Sequence, residues 1–126
     1  MIDEIFNAAH EAFLHYKNLP ASLKADFLDK IAEILEANRS NIVPVAVKES
    51  NLPEGRINGE LGRTTGQIKL FANMVREGSW LEATIDPGDS HREPLPKADI
   101  RKMLIPIGPV VVFGASNFPL AFSTAG

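Results

Sequence analysis

The stretch Gly108-Pro109-Val110-Val111-Val112-Phe113-Gly114-Ala115-Ser116-Asn117-Phe118-Pro119-Leu120 holds the chemically most telling residues of this chain. It reads as a buried strand, a sharp turn and the first turn of a helix. Val110 to Phe113 is apolar on both faces, as a central parallel strand is. Gly114, Ala115 and Ser116 are small, and small residues let another group approach the backbone closely. Asn117 stands where strand passes into helix, a position that favours an N-cap or turn role. The turn is not a G-x-G-x-x-G loop, so the phosphate-binding fingerprint is absent from it. Upstream, Arg63 and Gln67 lie about one helical turn apart. Together they could meet a carboxylate, or they could be exposed surface groups.

Other chemistries are excluded by what is missing. The sequence has no cysteine, which removes disulfides, thiolate metal sites and a thiol nucleophile from these 126 residues. His10 and His15 are five apart and fall on different faces of a helix, and His91 lies in a Pro-rich loop, so no metal-ligand spacing is present. The net charge of −3 calls for no polyanionic partner, which speaks against nucleic acid. No apolar run approaches the length needed to span a bilayer. Met-Ile-Asp-Glu-Ile lacks the basic and apolar segments of a signal peptide, so cytoplasm is the expected compartment.

The elements that must position these residues are mostly helical. Ile2, Ile5, Phe6, Ala9, Ala12, Phe13 and Tyr16 repeat at amphipathic-helix spacing over residues 2–17. Leu23, Phe27, Leu28, Ile31, Ile34 and Leu35 do so over 22–38, with Ser22 as N-cap and Asp26–Lys30 as an i,i+4 pair. Residues 38–41 read as a turn. Residues 42–49 alternate like a strand, yet Ser40 and Pro44 suit a helix start, and a short helix is the favoured reading. From Pro53 to about Arg76, Ile57, Leu61, Thr64, Ile68, Phe71 and Val75 share one helical face. Gly55, Gly59, Gly62 and Gly66 fall on the opposite one. That stripe marks either close backbone approach by another element or a frayed, partly coiled stretch. Gly78 suits the C-terminal stop. Leu81–Asp86 and Ile100–Ile105 read as strands of a hairpin with a long Pro/Gly-rich tip.

The segment from Gly108 to Gly126 resembles the start of the cofactor-binding domain in aldehyde dehydrogenases, which usually carry Pro-Trp-Asn-Phe-Pro where this chain has Ala115-Ser116-Asn117-Phe118-Pro119. The Phe-Gly-Ala-Ser-Asn-Phe-Pro form is similar to a narrower branch, the 2-oxoglutarate semialdehyde (2,5-dioxopentanoate) dehydrogenases and NADP-dependent fatty aldehyde dehydrogenases. Gly62-Arg63-Thr64-Thr65-Gly66-Gln67 and Arg76-Glu77-Gly78-Ser79-Trp80-Leu81 resemble that branch too.

The resemblance implies an α/β fold: the helix-rich N-terminal part of an aldehyde dehydrogenase, with a β-hairpin and the first strand of a Rossmann-like sheet. It divides the chain into a helical part of the cofactor-binding domain (1–80), an oligomerisation hairpin (81–106) and the first strand, turn and helix start of the sheet (107–126). Family members are several times longer, so the chain is expected to be a fragment of an oxidoreductase. In the family a cysteine thiolate attacks the aldehyde, an Asn amide steadies the resulting oxyanion, hydride passes to NAD or NADP, and a glutamate activates water. By resemblance Asn117 is that catalytic amide. Phe113, Gly114, Ala115 and Ser116 pass beside the nicotinamide ribose. Phe118 and Thr65 line the substrate tunnel, and Arg63 and Gln67 meet an oxo-acid tail. The residues that hold adenosine and pyrophosphate would lie beyond Gly126, so the chain alone is expected neither to bind cofactor tightly nor to turn over. The parent would be a homo-oligomer acting on a small aldehyde. The rival reading is a non-catalytic helical module that buries its apolar strand and hairpin by self-association.

Overall fold

A computed structural model of the chain describes residues 2–124. Helices form where apolar residues recur at helical spacing, α1 over Ile2–Tyr16, α2 over Ala21–Ala37 and α4 over Glu54–Glu77, and α3 spans Arg39–Ser50 despite the strand-like alternation of 42–49. A 3₁₀ turn, Ser79–Leu81, leads to β1 (Thr84–Asp86) and β2 (Ile100–Lys102), and a final turn of helix, α5, covers Ala121–Thr124. This is the helix-rich α/β arrangement with a hairpin that the sequence implies.

The packing centre is the seam between α2 and α4, which run antiparallel. Ala25, Ala32 and Ala72 are fully buried there, their small side chains letting the helices approach closely. Val43 and Ala46 of α3 close over Ile57 and Leu61 of α4, and Leu35, Leu52 and Leu120 pack around them. At one end of the seam Arg76 bridges Asp26 (3.0 Å) and Asp29 (2.8 Å). At the other, Arg39 grips Glu36 in a fork and donates to the Asn58 carbonyl (2.9 Å), tying three helices together.

Several local expectations are corrected. Pro20, not Ser22, occupies the start of α2, and it makes no side-chain cap bond. Asp26 is drawn across the seam to Arg76, so Lys30 pairs with Glu33 (3.1 Å) rather than with Asp26. The turn at 38–41 shrinks to Asn38, whose carbonyl accepts the N–H groups of Asn41 and Ile42, and α3 begins at once. α4 runs unbroken through its glycines, because its other face is locked by burial. Among the described residues no element approaches them closely either. A Cβ on Gly55, Gly59 or Gly66 would meet nothing within 4 Å, and one on Gly62 would meet only Arg39 Nη2 at 3.8 Å. Gly55→Ala and Gly59→Ala should therefore each stabilise the chain, by roughly 0.5–1 kcal/mol. Gly78, at φ 86°, closes α4 in the left-handed region. Gly78→Ala should cost about 1–2 kcal/mol. Urea midpoints moving in opposite directions would bear this out; the same sign for both would refute it.

The hairpin strands are shorter than expected. Leu81 belongs to the 3₁₀ turn and Glu82 is left-handed, so the regular ladder runs only from Thr84↔Lys102 to Asp86↔Ile100, flanked by a Leu104 N–H donating to the Leu81 carbonyl (2.8 Å) and an isolated Asp89↔Lys97 bridge. Both strands are exposed on every residue.

Two apolar surfaces lack cover among the described residues. On α1, Ile2, Ile5 and Phe6 are exposed; only its end docks, with Tyr16 edge-on to Phe27 at 5.9 Å. Val110 to Phe113 is not paired as a strand and is exposed, Phe113 to 92%. Among the described residues this segment has no partner strand, and a strand needs a neighbour for its N–H and C=O groups.

Candidate functional site

Asn117 lies in a tight turn closed by the Phe118 N–H donating to the Ala115 carbonyl at 2.9 Å. Helix α5 starts four residues later, so Asn117 is a turn residue and not a helix N-cap. Its side-chain amide has no hydrogen-bond partner among the described residues. Asn117 and Ser116 line a groove of about 860 Å³ between α2, α3 and the turn. The walls are mainly aliphatic (Ile34, Ile42, Val45, Leu120). Asn38, Asn41, Glu49 and Ser50 add polar groups to the lining, and Asn117 itself is exposed at the groove's edge, a neutral donor open to a ligand there.

What fixes the turn are two side chains of α4. The Arg56 guanidinium donates from Nη2 to the Asn117 carbonyl at 2.7 Å and lies 5.0 Å from the centroid of the Phe118 ring. Phe118 stacks in turn on Phe122 at 4.6 Å. Glu60 is buried, and its Oε1 accepts the backbone N–H groups of Leu120 (2.7 Å) and Ala121 (3.0 Å). The sequence reading missed both residues. Their only signal was an i,i+4 Arg–Glu spacing, which ordinarily marks a solvated helix face.

The other candidate residues are placed as follows. Phe113 and Gly114 are exposed, and a Cβ on Gly114 would crowd only the Ser123 hydroxyl, which can rotate away, with Ser123 Cβ at 3.6 Å. Ala115 is half-buried. Arg63 and Gln67 continue the helical stripe begun by Arg56 and Glu60, Arg63 exposed and Gln67 half-buried, neither lining the groove. Thr65 is buried and its hydroxyl donates to Glu36 Oε1 at 2.6 Å, in the α2–α4 seam. The structure thus brings Ser116, Asn117 and Phe118 together and leaves Thr65, Arg63 and Gln67 apart from them.

Thr65 has an electrostatic effect where it stands. Its hydroxyl, with the Arg39 guanidinium, holds the Glu36 carboxyl below the ordinary carboxylate range. A carboxyl whose pKa is lowered by folding adds stability above its unfolded value, and loses it as pH falls through the folded one. The stability gap between wild type and Thr65→Val should therefore be widest near neutrality and narrow below about pH 4. A gap independent of pH in denaturant titrations would refute this.

Ala115 and Ser116 carry only small side chains beside Asn117, whereas Gly114 lies against Ser123. Among the described residues no Gly-rich loop is present to cradle a cofactor's phosphates, and no group of three His, Asp or Glu side chains could hold a metal ion.

Comparison with known proteins agrees with this geometry. The model of the aldehyde dehydrogenase family matches residues 1–125. Alpha-ketoglutaric semialdehyde dehydrogenase of Acinetobacter baylyi is 50% identical over 99% of this chain, and alpha-ketoglutaric semialdehyde dehydrogenase 2 of Azospirillum brasilense is 46% identical over the same share. D-glyceraldehyde dehydrogenase (NADP(+)) of Thermoplasma acidophilum is 26% identical over 94%. The chain spans 24% of the length of each of the first two relatives. The family match across nearly every residue places this chain in the aldehyde dehydrogenase family.

Proposed function

We propose that these residues supply the oxyanion-donor segment of an NAD(P)-dependent aldehyde dehydrogenase that oxidises 2-oxoglutarate semialdehyde to the dicarboxylic acid. The Asn117 amide carries this reading: its backbone is held by Arg56 and its side chain is left unpartnered at the groove's edge. The relatives' printed names support the substrate. In this reading the nicotinamide, when bound, takes the aldehyde hydrogen as hydride. Asn117 Nδ2 donates to the carbonyl oxygen as negative charge develops on it, and needs no reorganisation to do so. Phe113 to Ser116 flank the ribose, and Phe118 borders the aldehyde. Thr65 is part of the tunnel wall's support, its hydroxyl being committed to Glu36.

Arg63 and Gln67 bind the far carboxylate of the substrate. Their support is position: both extend along the α4 stripe that starts at the Asn117 turn, and Arg63 has no ion-pair partner among the described residues. Residues 1–80 form the helical part of the cofactor-binding domain. The exposed hairpin of 81–106 joins subunits of a cytoplasmic homo-oligomer, and 107–126 begin the sheet. The 126 residues contain no cysteine to act as nucleophile, so purified alone they should form no NAD(P)H from any aldehyde. The family membership favours this reading over a purely self-associating module.

The test is an assay of the active enzyme carrying this segment. It should prefer the carboxylated aldehyde to an uncharged one of equal length. Arg63→Ala should remove about 1.5–3 kcal/mol of that preference, chiefly through KM. Equal use of both aldehydes by the wild type would overturn the oxo-acid substrate.

A further inference from the structure

We propose that Glu60 and Arg56 are positioning residues for Asn117: they fix the place from which its amide projects by gripping the turn at Asn117 and just beyond it. The inference rests on the reading of Asn117 as the oxyanion donor. Asn117 has no side-chain bond of its own among the described residues, so its backbone is what anchors it. That backbone is held at two points. Arg56 takes the carbonyl of Asn117 itself. Glu60 takes the N–H groups three and four residues further on. The two side chains are one turn apart on α4, so a single rigid element controls both points.

The character of Glu60 argues for placement over simple adhesion. It is only 6% exposed, and its Oε2 is buried with no hydrogen-bond partner among the described residues. Burying a carboxylate is costly, and an aliphatic side chain would anchor the turn more cheaply. An aliphatic contact is non-directional, whereas two charge-assisted N–H bonds to one oxygen fix the rotation of the peptide planes. Neither Arg56 nor Glu60 lines the groove that Asn117 faces, so neither is placed to touch an aldehyde there. Leu120, whose N–H Glu60 receives, is itself seated on the Val43–Leu61 cluster. The donor's position is thereby tied to the core.

Two measurements test this. In the 126-residue chain, backbone ¹⁵N relaxation and amide exchange are compared between wild type, Glu60→Ala and Glu60→Gln. Residues 117–121 should become mobile and lose protection in Glu60→Ala while the rest of α4 is unchanged. Glu60→Gln, which keeps the carbonyl acceptor, should largely restore both. A turn as rigid in Glu60→Ala as in wild type overturns the proposal. In the active enzyme carrying the segment, Glu60→Ala should lower kcat roughly 10- to 100-fold with KM for the aldehyde little changed. In an Asn117→Ala background it should lower kcat no further. Should Glu60→Ala fail to fold, Arg56→Ala, at an exposed site, gives the same cycle. If Asn117→Ala is harmful but the second substitution multiplies the loss, positioning is refuted and the donor role stands. If Asn117→Ala is harmless, both fall.

Discussion

Asn117→Ala should lower kcat of the aldehyde dehydrogenase carrying this segment roughly 100- to 1,000-fold, with KM for the aldehyde nearly unchanged. The size follows from where the amide sits. The ground-state carbonyl is nearly neutral and gains little from the donor, whereas the transition state carries negative charge on that oxygen. The interaction therefore appears in kcat. Asn117→Asp should be at least as damaging, because it sets a carboxylate against the developing charge. Steady-state kinetics on the three proteins decide the matter. A loss smaller than about tenfold in Asn117→Ala would show that the amide does not hold the oxyanion.

Leu61→Ala is the substitution expected to harm folding most. Leu61 is 1% exposed and shares its cluster with Val43, Ala46 and Ile57. Removing three carbons there should cost about 2–5 kcal/mol, from lost burial and from the cavity left behind. Domains of this size have about 5–15 kcal/mol in total, so the variant should sit near its unfolding threshold. Leu70, on the same helix but 62% exposed, provides the control. Leu70→Ala should move the urea midpoint little, and equal shifts for the two would refute the assigned core. Because Leu120 packs on the same cluster, Leu61→Ala should also loosen the Asn117 turn.

Local features were readable along the chain because their hydrogen bonds close within a few residues. The apolar repeats of 2–17, 22–38 and 53–76 each became a helix, since an amphipathic face needs only its own i,i+4 spacing to be recognised. Gly78 marks the end of α4 for the same local reason, its positive φ being open to glycine. The motif around Asn117, together with the upstream Gly62–Gln67 stretch, was enough for the family.

What no local pattern contained were contacts made across some sixty residues of chain, such as Arg56 to Asn117 and Glu60 to Leu120 and Ala121. An arginine and a glutamate one turn apart look like a wet helix face until the turn folds back and buries one of them. The bond from the Thr65 hydroxyl to Glu36, twenty-nine residues away, likewise arises only from the antiparallel fit of α2 on α4. Val110 to Phe113 was written as a strand, yet strand structure needs a paired neighbour, and the described residues offer none. The amino-acid order by itself determined the helices, their stops and the donor-bearing motif, because each rests on short-range geometry. Only the tertiary structure decided which side chains hold that donor in place, because the packing of α4 against α2 and α3 chooses those partners.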